Sequence, residues 1–369
     1  MSVSHVSGRG DTPREIDVTA VTRRLRAGAR ASADDVRRLV EGVLAGTVDL
    51  EAFGAWLVAL ADAGETAAEI AGVAAALRGR MLTVAHDPRD GGPPVADTCG
   101  TGGDGSGSFN ISTAAGIVAA AAGQPVAKHG NRAVSSRTGS ADVLERLGVK
   151  VDATPAISRR CLEELGFCFC LAPVHHPALA RVGPLRRSLG RPTVFNLVGP
   201  LCNPAGATVQ VIGVGRPTAR EPMAEAARLL GMRRAVIVSG RVGTDAARAF
   251  DEVSLFGPTD VLDVVPAGTT RSTWTPEGFG LTTRPAAAFD DLAVAGPEES
   301  AEAIRGVLAG AGGPRRDVVV LNAAAVLHAA GRAADAAAAR TLAEQAIDSG
   351  AAADLLRRFA AASHAEPAG

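Results

Sequence analysis

Asp97-Thr-Cys-Gly-Thr-Gly-Gly-Asp-Gly-Ser-Gly-Ser-Phe-Asn-Ile-Ser-Thr113 joins a short apolar run to an alanine-rich helix, and its reading decides the fold. Glycines 100, 102, 103, 105 and 107 let the backbone approach a ligand without Cβ interference. Successive N–H groups in such a turn form a concavity for anions, and the following helix start adds partial positive charge. Asn110, Ser112 and Thr113 offer side-chain donors there. A second apolar run ends in Lys128-His-Gly-Asn131, followed by Ser135-Ser136 and Gly139-Ser-Ala-Asp142. Neighbouring parallel strands would bring both clusters to one sheet edge, where open α/β sheets bind ligands. These residues predict a phosphate-rich ligand.

Gly100-x-Gly-x-x-Gly105 also fits a dinucleotide fingerprint, which is weak alone. That reading wants an acidic residue at the end of the second strand, and Lys128 and His129 stand there. The P-loop pattern is absent, because no Gly-Lys-Ser/Thr follows the glycines.

The motifs Asp97–Asp104, Asn110-x-Ser-Thr113, Lys128–Arg132, Ser135-Ser136 and Gly139–Asp142 closely resemble the anthranilate phosphoribosyltransferases of tryptophan biosynthesis. Thr193-Val-Phe-Asn-Leu-Val-Gly-Pro-Leu-Cys-Asn-Pro204, Asp251-Glu252 and Leu321-Asn-Ala-Ala-Ala325 extend the resemblance over about residues 18 to 360. It implies transfer of 5-phosphoribosyl from phosphoribosyl pyrophosphate to the amine of anthranilate, with magnesium, as two ions. By the same resemblance Gly100, Gly102, Gly103, Asp104, Asn110, Ser112, Thr113, Lys128, Ser135 and Ser136 hold the donor. Asp104 fixes the loop or touches the ribose or pyrophosphate. Gly100, His129, Asn131 and Arg186 flank anthranilate, with Arg187 as the alternative arginine. Ser112, Asp251 and Glu252 hold metal, since magnesium takes hard oxygen ligands. No catalytic base is assigned, because an aniline-type amine attacks neutral. Adjacent acids usually mark a solvated turn and His175-His176 read as a loop before Pro177, so only the motif singles out Asp251-Glu252.

Two departures from the family pattern concern detail. Leu179 stands where an aromatic residue is usual, which reshapes the acceptor channel. Ten residues, Arg241 to Phe250, precede the acidic pair where four are usual. A substituted anthranilate or other aromatic amine as acceptor, and a pyrimidine nucleoside phosphorylase-like activity, are the alternatives.

The 369 residues are 47% hydrophobic and 21% charged with net charge −1, which gives no basic face for nucleic acid. The longest apolar stretch, Ala114 to Gly123, is too short to span a bilayer. Five cysteines without CxxC spacing, and an N-terminus unlike a signal peptide, predict reduced thiols and the cytoplasm. Residues 1–15 read as a disordered tail. Residues 16–86, with about 173–192, read as a small all-helical domain; Ser32 and Thr66-x-x-Glu69 mark helix starts. Residues 94–172 and 193–369 read as a large, doubly wound, mainly parallel α/β domain of the nucleoside phosphorylase and phosphoribosyltransferase type. Strands are expected at Val95–Asp97, Pro125–Ala127, Gly166–Leu171, Val209–Gly213 and Arg234–Ser239. A linker near 86–93 would hinge the two parts across a cleft, and helices of the small part would form a homodimer.

Overall fold

The computed structural model describes residues 16–85, 93–133, 136–243 and 245–365, with the side chains of 245–248 excepted. The expected tail, most of the linker and Ser135 lie outside these residues.

Helices α1 (Val18–Arg26), α2 (Ala33–Ala45), α3 (Leu50–Ala63) and α4 (Ala67–Arg78) open the chain. Each begins where a short polar side chain replaces a missing helical acceptor: Asp17, Ser32, Asp49 and Thr66. At α4 the Thr66 hydroxyl accepts from the Glu69 amide while the Glu69 carboxylate accepts from the Thr66 amide.

From Ala96 the chain alternates: β1 (Ala96–Gly100), α5 (Ile111–Ala121), β2 (Val126–Gly130), α6 (Ser140–Arg146), α7 (Pro155–Leu165) and β3 (Phe167–Leu171). It then leaves the sheet through α8 (Ala172–His175), α9 (Gly183–Leu189) and α10 (Phe195–Val198). It returns as β4 (Val209–Gly213), α11 (Arg220–Leu229), β5 (Arg234–Val242), β6 (Asp245–Phe250), β7 (Thr259–Val265) and β8 (Gly268–Trp274). Helices α12 (Pro297–Leu308), α13 (Pro314–Ala329), α14 (Ala336–Asp348) and α15 (Ala351–Ser363) close it.

Among the described residues the sheet runs β3-β2-β1-β4-β5-β7-β8, with β6 added to β5. The pairs from β3 to β5 are parallel, whereas β6, β7 and β8 are antiparallel strands that the sequence reading did not contain. Order reverses between β1 and β4, so their carboxyl ends open a crevice between diverging connections. Apolar side chains fill both faces of the central strands. One cluster joins Ala114, Val118, Val126, Phe167, Val320 and Leu321. The other runs unbroken from Leu57, Ile70 and Val73 of the bundle to Met223, Ile237 and Val264. Burying each such Leu, Ile or Phe stabilises by roughly 1.5–3 kcal/mol, so bundle and sheet are welded by a shared core. All five cysteines are free and buried. Among the described residues no helix is long and apolar enough to cross a membrane.

Candidate active site at the sheet crevice

The glycine stretch spans the carboxyl end of β1 and the start of α5. Gly102 and Gly103 have φ of 71° and 80°, a region that penalises any Cβ. Asp104 ties its own loop: Oδ1 accepts from the Ser106 amide at 3.0 Å and hydroxyl at 2.9 Å. Its other oxygen accepts from the Asp251 amide at 3.4 Å.

Asp251 and Glu252 lie across that loop. The Gly102 amide donates to Asp251 Oδ2 at 2.8 Å, and the Ser112 amide donates to Glu252 Oε1 at 3.1 Å. Two carboxylates thus rest on the loop amide and the α5 N-terminus, the positions suited to an anionic ligand. The strand ends leave room because they lack side chains. A Cβ on Gly100 would overlap the Asp251 carboxylate, one on Gly213 the Asp251 carbonyl, and one on Gly240 would lie 2.6 Å from the Glu252 carbonyl. Asn322 of α13 clamps the next residue, accepting from the Val253 amide at 2.9 Å and donating to its carbonyl at 3.0 Å. The long segment before the acids joins the sheet. It folds back as the β5–β6 hairpin, pairing Gly240 with Phe250 immediately before Asp251.

Burial, then the neighbouring Asp104 and Glu252, push the Asp251 carboxyl well above its usual value. Burial pushes Glu252 up to about 8, partly offset by Lys128. The buried Lys128 ammonium donates to the Thr98 carbonyl at 2.8 Å and Ser112 Oγ at 3.1 Å. Among the described residues no three His, Cys, Asp or Glu converge as a ready metal cage. The donor set nevertheless suits a hard cation: the Asp251 and Glu252 carboxylates and the Ser112 hydroxyl are half-buried oxygens, with the Lys128 cation beside Glu252.

A pH dependence follows. An acid whose folded value is raised stabilises the fold when protonated; that contribution is present below the usual carboxylate range and is lost as pH rises through about 8. The melting temperature of the protein without added metal should therefore fall between pH 5 and pH 9 more steeply than that of Glu252→Gln. Magnesium should restore it at high pH by supplying the missing counter-charge. Parallel curves for the two proteins by scanning fluorimetry would remove Glu252 as the cause.

The residues at the α5 start are bound into the fold. Asn110 is the N-cap residue but makes no side-chain cap. Its amide instead ties Thr138, at 2.9 Å, to Ser300, at 2.8 Å. Thr113 is fully buried, and its hydroxyl has no hydrogen-bond partner among the described residues. Ser136 is exposed and donates to the Thr138 carbonyl at 3.2 Å. The Gly139–Asp142 motif closes this loop: the Asp142 carboxylate accepts from the Gly139 amide at 2.9 Å and the Ala133 amide at 2.8 Å. Asn131 stands exposed at its start.

His129 projects toward the segment 193–204. Its Nδ1 lies 3.0 Å from the Gly199 carbonyl, which can only accept, so Nδ1 carries the proton. Burial and the nearby His176 drop its pKa to about 3, leaving it neutral. His176 packs beside it, ring centroids 5.2 Å apart, and bonds the Cys202 carbonyl. Arg186 is half-buried, its pKa lowered by burial, and among the described residues no acid pairs with it; Arg187 is exposed. Leu179 is half-buried against the helical core.

Sequence reasoning left out Asp97, Asn203 and Gln210. Asp97 is buried, and its Oδ2 accepts from Asn203 Nδ2 at 2.8 Å and Gln210 Nε2 at 3.3 Å. Gln210 also donates to the Pro200 carbonyl at 2.9 Å, and Asn203 to that of Ala127 at 2.7 Å. This network ties the segment behind His129 to β1, β2 and β4. The available signal was an acid inside an apolar strand, which calls for a buried partner.

Residues 92–353 match the a/b domain of the glycosyl transferase family and residues 19–81 its helical bundle domain. The chain is 44% identical over 335 residues to anthranilate phosphoribosyltransferase of Rhodopirellula baltica, covering 91% of this chain and 94% of the relative. It is 45% identical over 339 residues to that of Methylorubrum extorquens, with 92% and 96% covered. Its structure is similar to that of the Thermus thermophilus enzyme, with TM-score 0.84, 41% identity, and 95% and 100% of the chains covered. The Saccharomyces cerevisiae enzyme in complex with phosphoribosyl pyrophosphate and Mg aligns with TM-score 0.83 at 27% identity, covering 94% and 97%. The same yeast enzyme is also known in complex with 4-fluoroanthranilate, with TM-score 0.81 at 26% identity and the same coverage.

Proposed function

The chain belongs to the anthranilate phosphoribosyltransferases and transfers the 5-phosphoribosyl group of phosphoribosyl pyrophosphate to anthranilate; we propose that the β1–β4 crevice performs that transfer. The observation that carries the reading is the placement of Asp251 and Glu252 on the Gly102 and Ser112 amides. Those amides, with the Gly100 and Gly103 backbone and Lys128, form a cradle for the donor phosphates once the carboxylates turn to a cation. Asn110, Asp104 and Thr113 act from behind it by holding the loop and the helix start. Ser136 stands on the 131–139 loop, and Ser135 joins the donor residues by the resemblance alone.

Magnesium, as two ions held by Asp251, Glu252 and Ser112, supplies charge neutralisation on the departing pyrophosphate when bound. The protein's part is to align the anomeric carbon with the amine and to exclude water. The C–O bond to pyrophosphate breaks, the C–N bond forms, and the amine then loses a proton. Anthranilate sits between Gly100, His129, Asn131 and Arg186, its carboxylate on the guanidinium.

A division at 16–86 with 173–192 and at 94–172 with 193–369 assigns Arg186 to the small domain and the donor cradle to the large one. The two-fold contact of a homodimer falls on helices of the small domain, in keeping with the resemblance, and light scattering tests it. Five free, buried thiols accord with the cytoplasm.

Loss of anthranilate fluorescence with phosphoribosyl pyrophosphate and magnesium measures the reaction directly. EDTA should abolish it. Because a charge-assisted hydrogen bond contributes roughly 1.5–3 kcal/mol, Arg186→Ala should lower kcat/KM for anthranilate about ten- to over a hundred-fold. Aniline, lacking the carboxylate, should be used almost equally poorly by both proteins. Equal losses with the two amines would remove Arg186 from the acceptor site, and a loss confined to Arg187→Ala would move the role there. A panel of ring-substituted anthranilates reads the effect of Leu179.

A further inference from the structure

An arginine withdrawn from water without an acidic partner must be oriented by something other than charge. For Arg186 that something is an aromatic ring: its guanidinium carbon lies 5.0 Å from the centroid of Phe195, the first residue of α10. A cation over a ring face is attracted by the ring quadrupole. A ring contact occupies no oxygen acceptor, so the guanidinium N–H groups remain available to a carboxylate, which their fork matches.

The ring is itself held. Phe53 of α3 meets Phe195 edge-on, centroids 6.3 Å apart at 77°, and Phe53 stacks on Trp56 at 5.4 Å and 19°. Phe53 and Trp56 are fully buried. The helix carrying Arg186 is fixed by the adjacent residue of α3. Gly54 lets α9 approach so closely that a Cβ there would stand 2.9 Å from Leu185 Cδ1. Residues 53 and 54 therefore register both the ring and the arginine.

We propose that Phe195 is a positioning residue for acceptor recognition: stacked from Trp56 through Phe53, it presents the Arg186 fork edge-on to the carboxylate of the aromatic amine. The inference rests on the reading of Arg186 as the carboxylate partner. Phe195 touches no reacting atom in this account and acts through Arg186 alone.

Phe195→Leu keeps an apolar side chain and removes the ring face. It should raise KM for anthranilate about three- to thirty-fold, while kcat and KM for phosphoribosyl pyrophosphate move less than about twofold. Phe195→Tyr, which keeps the ring, should recover most of the loss. In an Arg186→Ala background the Phe195→Leu effect on anthranilate should vanish, because the group it orients is gone. Phe195→Met, unbranched and of similar volume, serves as the second variant where Phe195→Leu fails to fold, with the melting temperature measured for each.

An unchanged anthranilate KM, a loss carried by kcat or by the donor KM, or an additive loss in the Arg186→Ala background would each overturn the proposal. Those results leave Arg186 itself in place when Arg186→Ala still separates anthranilate from aniline. Failure of that separation overturns both.

Discussion

Asp251→Asn combined with Glu252→Gln lowers kcat/KM by at least about a thousand-fold, even at saturating magnesium. Electrostatic stabilisation of a departing pyrophosphate contributes several kcal/mol, and each 1.36 kcal/mol is a factor of ten. The substitutions are nearly isosteric, and an amide oxygen still accepts from the Gly102 and Ser112 amides that now hold the two acids. The loop should therefore keep its shape, and replacing two acids whose charged forms burial disfavours should leave the melting temperature level or higher. Calorimetry should show that the variant has lost magnesium-dependent binding of phosphoribosyl pyrophosphate. Turnover within tenfold of the parent protein would take these acids out of the reaction.

Gly213→Ala is the second large effect, at a residue with no side chain to contribute. Gly213 pairs with Gly100 across the parallel β1–β4 ladder, and an added methyl would overlap the backbone carbonyl of Asp251. A backbone atom cannot rotate away as a side chain can, so the acidic turn must shift bodily. A displacement of about 1 Å at a reacting centre costs on the order of a hundred-fold, and kcat/KM should fall by at least that much. The melting temperature should drop by a few degrees, since the clash also strains the sheet end. Gly278→Ala, where nothing lies within 4 Å of the new Cβ, is the control and should behave as the parent protein. Parental activity in Gly213→Ala would mean that the strand ends do not hold Asp251 in place.

Much of this architecture is local and was therefore open to sequence reasoning. Ser32 and the Thr66–Glu69 box mark helix starts because the cap lies within three residues of the amide it satisfies. Strands expected at 95–97, 125–127 and 209–213 form at 96–100, 126–130 and 209–213, almost wholly buried, and the glycine loop follows the first of them. The motifs at 97–113 and 128–142 pointed to an anion site at one sheet edge, and the resemblance singled out 251–252 for metal. The chain itself, through its local spacing and glycine content, determined that a glycine loop and a helix N-terminus follow β1.

What required the tertiary structure is whatever depends on partners far along the chain. Strand β8 presents mostly exposed polar residues, and β7 recruits it by main-chain hydrogen bonding rather than by any apolar alternation. Gly213 and Gly240 read as ordinary strand ends until Asp251 and Glu252 lie against them. Asp97 looked like part of the donor motif, and its partners at 203 and 210 stand more than a hundred residues away. Asn110 and Thr113 sit at a helix start, where sequence favours ligand donors, yet packing against Thr138 and Ser300 turns the first inward and the core encloses the second. Arg186 and Arg187 are indistinguishable as neighbours in sequence. Burial separates them: packing of α9 on Gly54 and of Phe195 on Phe53 draws Arg186 out of solvent and leaves Arg187 in it. Short-range preferences select helices, strands and turns, whereas the orientation of a particular side chain is set by atoms that only chain closure brings near.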